Sequence, residues 1–120
     1  MATSPNLVTI NPYFKAHAGK LEEFHALMHE FVAKTRPEEA CYFYEFTICD
    51  DRAFCREGYE GAAGVLNHLE NVGELLGRME KFADLTQLQF HGPAAEIDKL
   101  REPLAHLPAD FFVLHCGIEL

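Results

Sequence analysis

The order of strand-like and helix-like patterns constrains this chain more than any other sequence feature. Apolar residues recur with a period of two in strands and of about 3.6 in helices. These patterns predict a strand, an amphipathic helix, two strands joined by a tight turn, a second helical region and a fourth strand. The predicted elements cover residues 7–14, 19–36, 41–49, 52–59, 61–82 and 85–91. The order βαββαβ is the ferredoxin-like arrangement, an α+β fold in which helices cover one face of an antiparallel sheet.

A helix and a strand are expected to follow these six elements. Gly92-Pro93 begins a helix that reaches about Glu102, because proline fits the first helical turn. Phe111 to Ile118 has the composition of a final strand, which suits an exchange with the sheet edge of a partner chain. No repeat or linker divides the chain. We therefore expect one domain over 1–120, with a core at 7–91 and a C-terminal helix–strand extension at 92–120.

Three positions interrupt these patterns. Pro12 predicts that the first strand is an edge strand or contains a bulge. Gly73 and Gly77 weaken the second helical region and can divide it in two.

The charge and the cysteines exclude several classes of protein. The chain has 120 residues and a net charge of -9 at pH 7, which argues against nucleic acid or an anionic membrane as a partner. No apolar run reaches membrane-spanning length, and the N-terminal residues lack the pattern of a secretory signal. The four cysteines form no Cys-x-x-Cys pair, so we expect reduced thiols and a cytoplasmic protein.

The segment from Cys41 to Tyr59 predicts a β-hairpin whose register can be worked out. A two-residue turn at Asp50-Asp51 places Cys49 opposite Arg52. Counting back, the cross-strand partners are Phe46 with Cys55, Glu45 with Arg56, Tyr44 with Glu57, and Tyr42 with Tyr59. The pairing of Glu45 with Arg56 supports this register, since opposite charges directly across a ladder attract.

One face of this hairpin carries the most reactive group. Because side chains alternate between faces, Glu57 shares its face with Tyr44, Phe46, Cys55 and Tyr59. Burial under a helix would raise the pKa of this carboxyl and make it a better base. The alternative is a structural carboxylate that hydrogen bonds Tyr44 or a helix N-terminus.

Four short motifs in the same order resemble the antibiotic biosynthesis monooxygenase family. They are Ala18-Gly19-Lys20-Leu21-Glu22-Glu23-Phe24, the Cys41-Tyr42 to Tyr44-Glu45 strand, Arg56-Glu57-Gly58-Tyr59-Glu60 with Ala62-Ala63, and the pair His68-Leu69. The resemblance covers roughly residues 7 to 91. It differs from the family pattern at Tyr59, where tryptophan is usual, and the haem-degrading branch is rejected because no histidine occurs between Asn71 and Gln89.

The resemblance implies a homodimeric α+β barrel with a pocket between each sheet and its helices. It also implies oxidation of a quinol, polycyclic phenol or anthrone by O₂ without a cofactor or a metal, because the deprotonated substrate itself reduces O₂. The alternative, from a different class, is a non-catalytic barrel that binds a small apolar ligand or serves as a stress or regulatory accessory.

These considerations select eight candidate site residues. Glu57 is the expected base and Tyr59 its aromatic neighbour. His68 orients a substrate hydroxyl or shuttles a proton, or it only fixes its helix against the strand. Asn11 and Tyr13 are possible hydrogen-bond donors on the first strand. Tyr44, Phe46 and Cys55 complete the substrate-binding set. His25 and His29 have metal-chelating spacing but no third ligand, so we expect no metal.

Overall fold

The computed structural model describes residues 6–118, which form five strands and four helices. In chain order these are β1 (Leu7–Ala16), α1 (Leu21–Thr35), β2 (Cys41–Cys49), β3 (Arg52–Glu60), α2 (Gly61–Asn71), α3 (Gly73–Met79), β4 (Ala83–Gly92), α4 (Ala94–Arg101) and β5 (Asp110–Val113). The α+β class and the order of the predicted elements are confirmed. Between β3 and β4 the helical region is divided at Val72, immediately before Gly73.

The five strands form one sheet in the order β2-β3-β1-β4-β5. The first four strands pair antiparallel with one another, and β5 is parallel to β4. Since β1 lies in the middle, Pro12 is not on an edge strand. It is adjacent to an irregularity instead, because the register between β1 and β4 shifts between Tyr13 and Phe14. Of the two alternatives predicted from Pro12, an edge strand or a bulge, the structure has the bulge.

The C-terminal strand is shorter than expected and pairs within its own chain. The predicted strand reached Ile118, whereas β5 ends at Val113. Its parallel ladder joins Phe90 to Phe111, and the N–H of Leu114 donates to the carbonyl of Gly92. The β4–β5 ladder lies within one chain, and the exchange with the sheet edge of a partner stays a prediction.

The core has two parts, both on the helix-covered face of the sheet. The first cluster packs α1 and α3 against Phe14, Ala53 and Ala83. The second packs α2 and α4 against Val8, Tyr59 and other strand residues. Burial of such side chains contributes about 1.5–3 kcal/mol each. None of the helices within residues 6–118 is long and apolar enough to cross a membrane.

Candidate active site

A cavity of about 460 Å³ lies between the sheet and the helices, where the two core clusters meet. Its wall is mostly apolar and is formed by residues of both clusters. The apolar residues of the wall include Ile10, Pro12, Phe14, Phe31, Phe46, Leu69, Leu76, Met79, Leu88, Phe90, Leu104 and Leu107. The buried polar residues in the wall are Glu57 and His68, whereas Glu70, Glu80 and His106 are exposed and mark the side nearest solvent. A size of 300–1,000 Å³ is usual for a small-molecule site.

The β2–β3 hairpin brings the carboxyl to this cavity in the predicted register. Asp50 adopts a left-handed conformation (φ 55°) in the turn, and Cys49 pairs with Arg52. The cross-strand pairs from Tyr44 with Glu57 to Phe46 with Cys55 are confirmed. The expected pairing of Tyr42 with Tyr59 is wrong, because a bulge places Cys41 opposite Tyr59 and leaves Tyr42 exposed.

Glu57 is a carboxyl group with almost no contact with water. Its residue is 4% exposed, and the hydroxyl of Tyr59 donates a 2.7 Å hydrogen bond to Glu57 Oε1. Burial raises the pKa of Glu57 to about 8, against the opposing effect of hydrogen bonds from Tyr59 and Cys55. The carboxyl is therefore mainly protonated at pH 7 and can gain or lose a proton near neutral pH.

His68 on α2 connects this carboxyl to a second one. Its Nε2 lies 3.5 Å from Glu57 Oε1, and its Nδ1 lies 2.8 Å from Glu38 Oε2. Asn71 holds Glu38 from the other side, because its Nδ2 donates to Glu38 Oε2 (2.8 Å) and to the carbonyl of Lys34 (2.9 Å). The side chains of His68 and Glu38 are 4% and 5% exposed.

These contacts determine which nitrogen of His68 carries the proton. Burial lowers the pKa of His68, although the hydrogen bond to Glu38 acts in the opposite direction. In the neutral ring, we assign the hydrogen to Nδ1, where it donates to the Glu38 carboxylate. Nε2 then presents a lone pair toward Glu57. A proton can therefore pass from Glu57 to His68, whose ring is hydrogen bonded to Glu38.

The aromatic part of the predicted site is also present. Tyr44 and Phe46 pack edge to face, with ring centroids 5.6 Å apart, and both line the cavity. Burial, followed by the charge of Glu57, raises the pKa values of Tyr44 and of the Cys55 thiol far above neutrality. Both groups remain neutral, so Cys55 is not an activated nucleophile. Tyr59 has no exposed surface and is not part of the cavity wall.

Asn11 and Tyr13 are not brought to the cavity. On β1 the residues facing the helices are Ile10, Pro12 and Phe14, which line the cavity, and Asn11 and Tyr13 alternate with them on the other face. Asn11 Oδ1 accepts a hydrogen bond from Thr9, and the Tyr13 ring lies tilted against that of Phe54, with centroids 4.7 Å apart.

Two parts of the site were not predicted from the sequence. Glu38 lies in the loop between α1 and β2, 30 residues from His68, where no periodic pattern marks it. The second part comes from the C-terminal extension, which adds Leu104, His106 and Leu107 to the wall. Among residues 6–118, no three His, Cys, Asp or Glu side chains are grouped so that they could hold a metal ion.

The fold and the sequence are both similar to those of a solved structure, MupZ from Pseudomonas fluorescens. The two are 37% identical in sequence, the match covers 94% of this chain and 93% of MupZ, and the TM-score is 0.90. The chain belongs to the MupZ family. The MupZ family has the fold of antibiotic-biosynthesis-monooxygenase-like proteins, as the sequence resemblance predicted. The sequence matches no protein-family model and no curated protein.

Other solved structures share the fold of the MupZ family at lower identity. A candidate antibiotic biosynthesis monooxygenase from Chloroflexus aurantiacus is 13% identical, covers 73% of this chain and 93% of its own, and has a TM-score of 0.61. A candidate oxidoreductase from Bacteroides thetaiotaomicron is 16% identical, covers 72% of this chain and 97% of its own, and has a TM-score of 0.66. Both leave about a quarter of this chain without a counterpart.

Proposed function

We propose that this protein is a cofactor-independent monooxygenase that oxidises a quinol, polycyclic phenol or anthrone with O₂. The observation that carries the proposal is the buried carboxyl of Glu57, which lines an apolar cavity and has a pKa of about 8. A base whose pKa lies near the working pH is suited to remove a proton from a weakly acidic substrate. The fold that this chain shares with the candidate antibiotic biosynthesis monooxygenase from Chloroflexus aurantiacus supports the same class of reaction.

In this mechanism the ionised Glu57 takes a proton from a phenolic O–H or from the activated C–H of an anthrone. The resulting anion reduces O₂. For an anthrone, one oxygen atom enters the ring as the new quinone carbonyl, and the other leaves as water with the two hydrogens that the substrate loses. The rings of Tyr44 and Phe46 would hold a flat substrate, and the apolar wall would keep water from the reactive anion.

The two neighbours of Glu57 have different roles in this proposal. Tyr59 is a positioning residue, since its hydroxyl holds Oε1 and it lies outside the cavity wall. His68 lines the cavity and is the route by which the proton leaves Glu57, with Glu38 stabilising the imidazolium that forms transiently.

Oxygen uptake tests the proposal. Chelator-treated protein is given reduced quinols and anthrones, alongside Glu57→Gln and the control Glu45→Gln, whose side chain is exposed and paired with Arg56. We expect saturable uptake that Glu57→Gln lowers by about tenfold or more, the lower range of a general-base contribution. Uptake no faster than in buffer, or equal in wild type and Glu57→Gln, would contradict the proposal.

A redox-neutral acid–base reaction is the second candidate, and the raised pKa of Glu57 favours it. At pH 7 most of the Glu57 carboxyl carries a proton that it can donate to a substrate oxygen. Hydrogen exchange into anthrone in D₂O without O₂, followed by mass spectrometry, separates the two candidates. Glu57-dependent exchange with no oxygen uptake would favour the redox-neutral reaction, whereas exchange together with uptake supports the oxygenase.

A further inference from the structure

The C-terminal extension forms part of the cavity wall. Leu104 and Leu107 contribute apolar surface next to residues of β4 and α2, and His106 lies beside them on the exposed side. Leu104 also belongs to the second core cluster, and Leu107 packs against it. Without this segment the cavity would lose three of its lining residues and open at that side.

The segment is held in place by buried contacts. Ile97 and Leu100 of α4 have no exposed surface. Glu96 Oε1 accepts a 2.9 Å hydrogen bond from the N–H of Ala62 at the start of α2, and its other oxygen accepts one from Lys99 at 2.9 Å. Gly61 has a φ of +68°, and a Cβ there would approach Glu96 Oε1 to 2.8 Å. The close contact of the extension with α2 therefore depends on glycine at this position.

Main-chain hydrogen bonds order the segment itself. The N–H of Leu104 donates to the carbonyl of Leu100, the N–H of Leu107 to that of Leu104, and the N–H of Ala109 to that of Leu107. Beyond it, Phe111 stacks on Phe90 with ring centroids 5.4 Å apart. The cavity wall is thus formed before a ligand arrives, which lowers the entropic cost of binding.

We infer that residues 104–107 form a substrate-binding wall that determines which molecules reach Glu57. This inference rests on the proposed function in that the cavity is taken as the substrate site. The wall binds the apolar part of a neutral molecule. A negatively charged ligand is disfavoured because Glu70 and Glu80 line the cavity near solvent and its interior is almost entirely apolar.

A tryptophan placed in this wall tests the inference by filling part of the cavity. The variant is Leu107→Trp, the probe is the neutral fluorophore 1-aminoanthracene, and the control is Leu114→Trp, whose residue is 64% exposed and lies outside the wall. We expect Leu107→Trp to weaken probe binding by about tenfold or more, with Leu114→Trp close to wild type. His106→Trp, at an exposed position of the same wall, serves if Leu107→Trp does not fold.

Two further comparisons complete the test. Equal probe affinity in wild type, Leu107→Trp and His106→Trp would overturn the inference, and displacement of the probe by 2-naphthoate as readily as by neutral 2-naphthol would overturn the ligand class. If oxygen uptake is absent but Leu107→Trp or His106→Trp still weakens probe binding, the oxygenase proposal is contradicted. The inference that residues 104–107 form a binding wall is then still supported.

Discussion

The hydroxyl of Tyr59 donates a 2.7 Å hydrogen bond to Glu57 Oε1, and the two side chains lie two residues apart on the same strand face. Strand alternation alone brings them together, since residues i and i+2 point the same way. Glu57 Oε1 also faces His68 at 3.5 Å. The carboxyl therefore has the Tyr59 hydroxyl on one side and a ring nitrogen of His68 on the other.

Burial of Glu57 should make the protein less stable as the pH rises. The folded carboxyl has a pKa of about 8 against 4.5 for the unfolded one, so the folded state binds more protons between these values. The free energy of unfolding therefore falls as pH increases from about 4.5 to about 8. Glu57→Gln should remove a few kcal/mol of this dependence, since one pKa unit corresponds to about 1.4 kcal/mol.

Urea denaturation at several pH values between about 5 and 8 measures this dependence. The matched control is Glu45→Gln on the neighbouring strand, whose side chain is 56% exposed. An identical pH dependence of stability in Glu57→Gln and wild type would show that Glu57 does not titrate in this range.

Removing the hydroxyl of Tyr59 should raise the pKa of Glu57 further. The Tyr59 hydrogen bond favours the ionised carboxylate, and a bond to a charged group contributes about 1.5–3 kcal/mol. In Tyr59→Phe we expect the Glu57 titration to move up by about one pH unit or more. Carboxyl ¹³C NMR measures it, with Tyr42→Phe on the exposed bulge as the control. An unchanged titration would mean that the hydrogen bond only positions the side chain.

Removing the charge of Glu38 should have the opposite effect on Glu57. The charge of Glu38 raises the pKa of Glu57, and its hydrogen bond raises that of His68. In Glu38→Gln both pKa values should fall, which NMR titration of the His68 ring and of the Glu57 carboxyl can follow. The control is Glu39→Gln, the next residue, which is exposed. A loss of stability with both titrations unchanged would assign Glu38 a purely structural role.

The hairpin could be predicted from the sequence because its information is local. The Asp50-Asp51 turn and the Glu45–Arg56 pair determined the register, and the structure has these two charged groups 3.0 Å apart. The bulge at Tyr42 could not be predicted, since an extra residue at a strand end leaves no periodic signal.

Other parts of the site depend on contacts between distant segments. Glu38 reaches His68 across 30 residues, and Leu107 reaches the cavity only because α4 packs on α2. By contrast, the sequence did contain a signal for which face of β1 points to the cavity. Ile10, Pro12 and Phe14 alternate with polar neighbours, so binary patterning favours the cavity for them rather than for Asn11 and Tyr13.

The uncovered face of the sheet leads to a prediction about assembly. Tyr13 and Phe112 on this face are 39% and 43% exposed, and the Tyr13 ring lies tilted against that of the partly buried Phe54. A homodimer that packs two such faces together would remove this apolar surface from water, which stabilises the pair by about 25 cal/mol for each Å² buried. We expect wild-type protein to have about twice the 13.6 kDa mass of one chain in light scattering.

Tyr13→Asp places a charge in the middle of this face and should give a folded monomer, because an unpaired charge is costly to bury. The matched control is Leu21→Asp on α1, where a similarly exposed apolar residue lies on the helical side of the molecule. Deleting the C-terminal extension is a poorer test, since it would also remove the buried Ile97 and Leu100 from the core. A wild-type monomer, or a dimer unaffected by Tyr13→Asp, would show that the chain does not pair through this face.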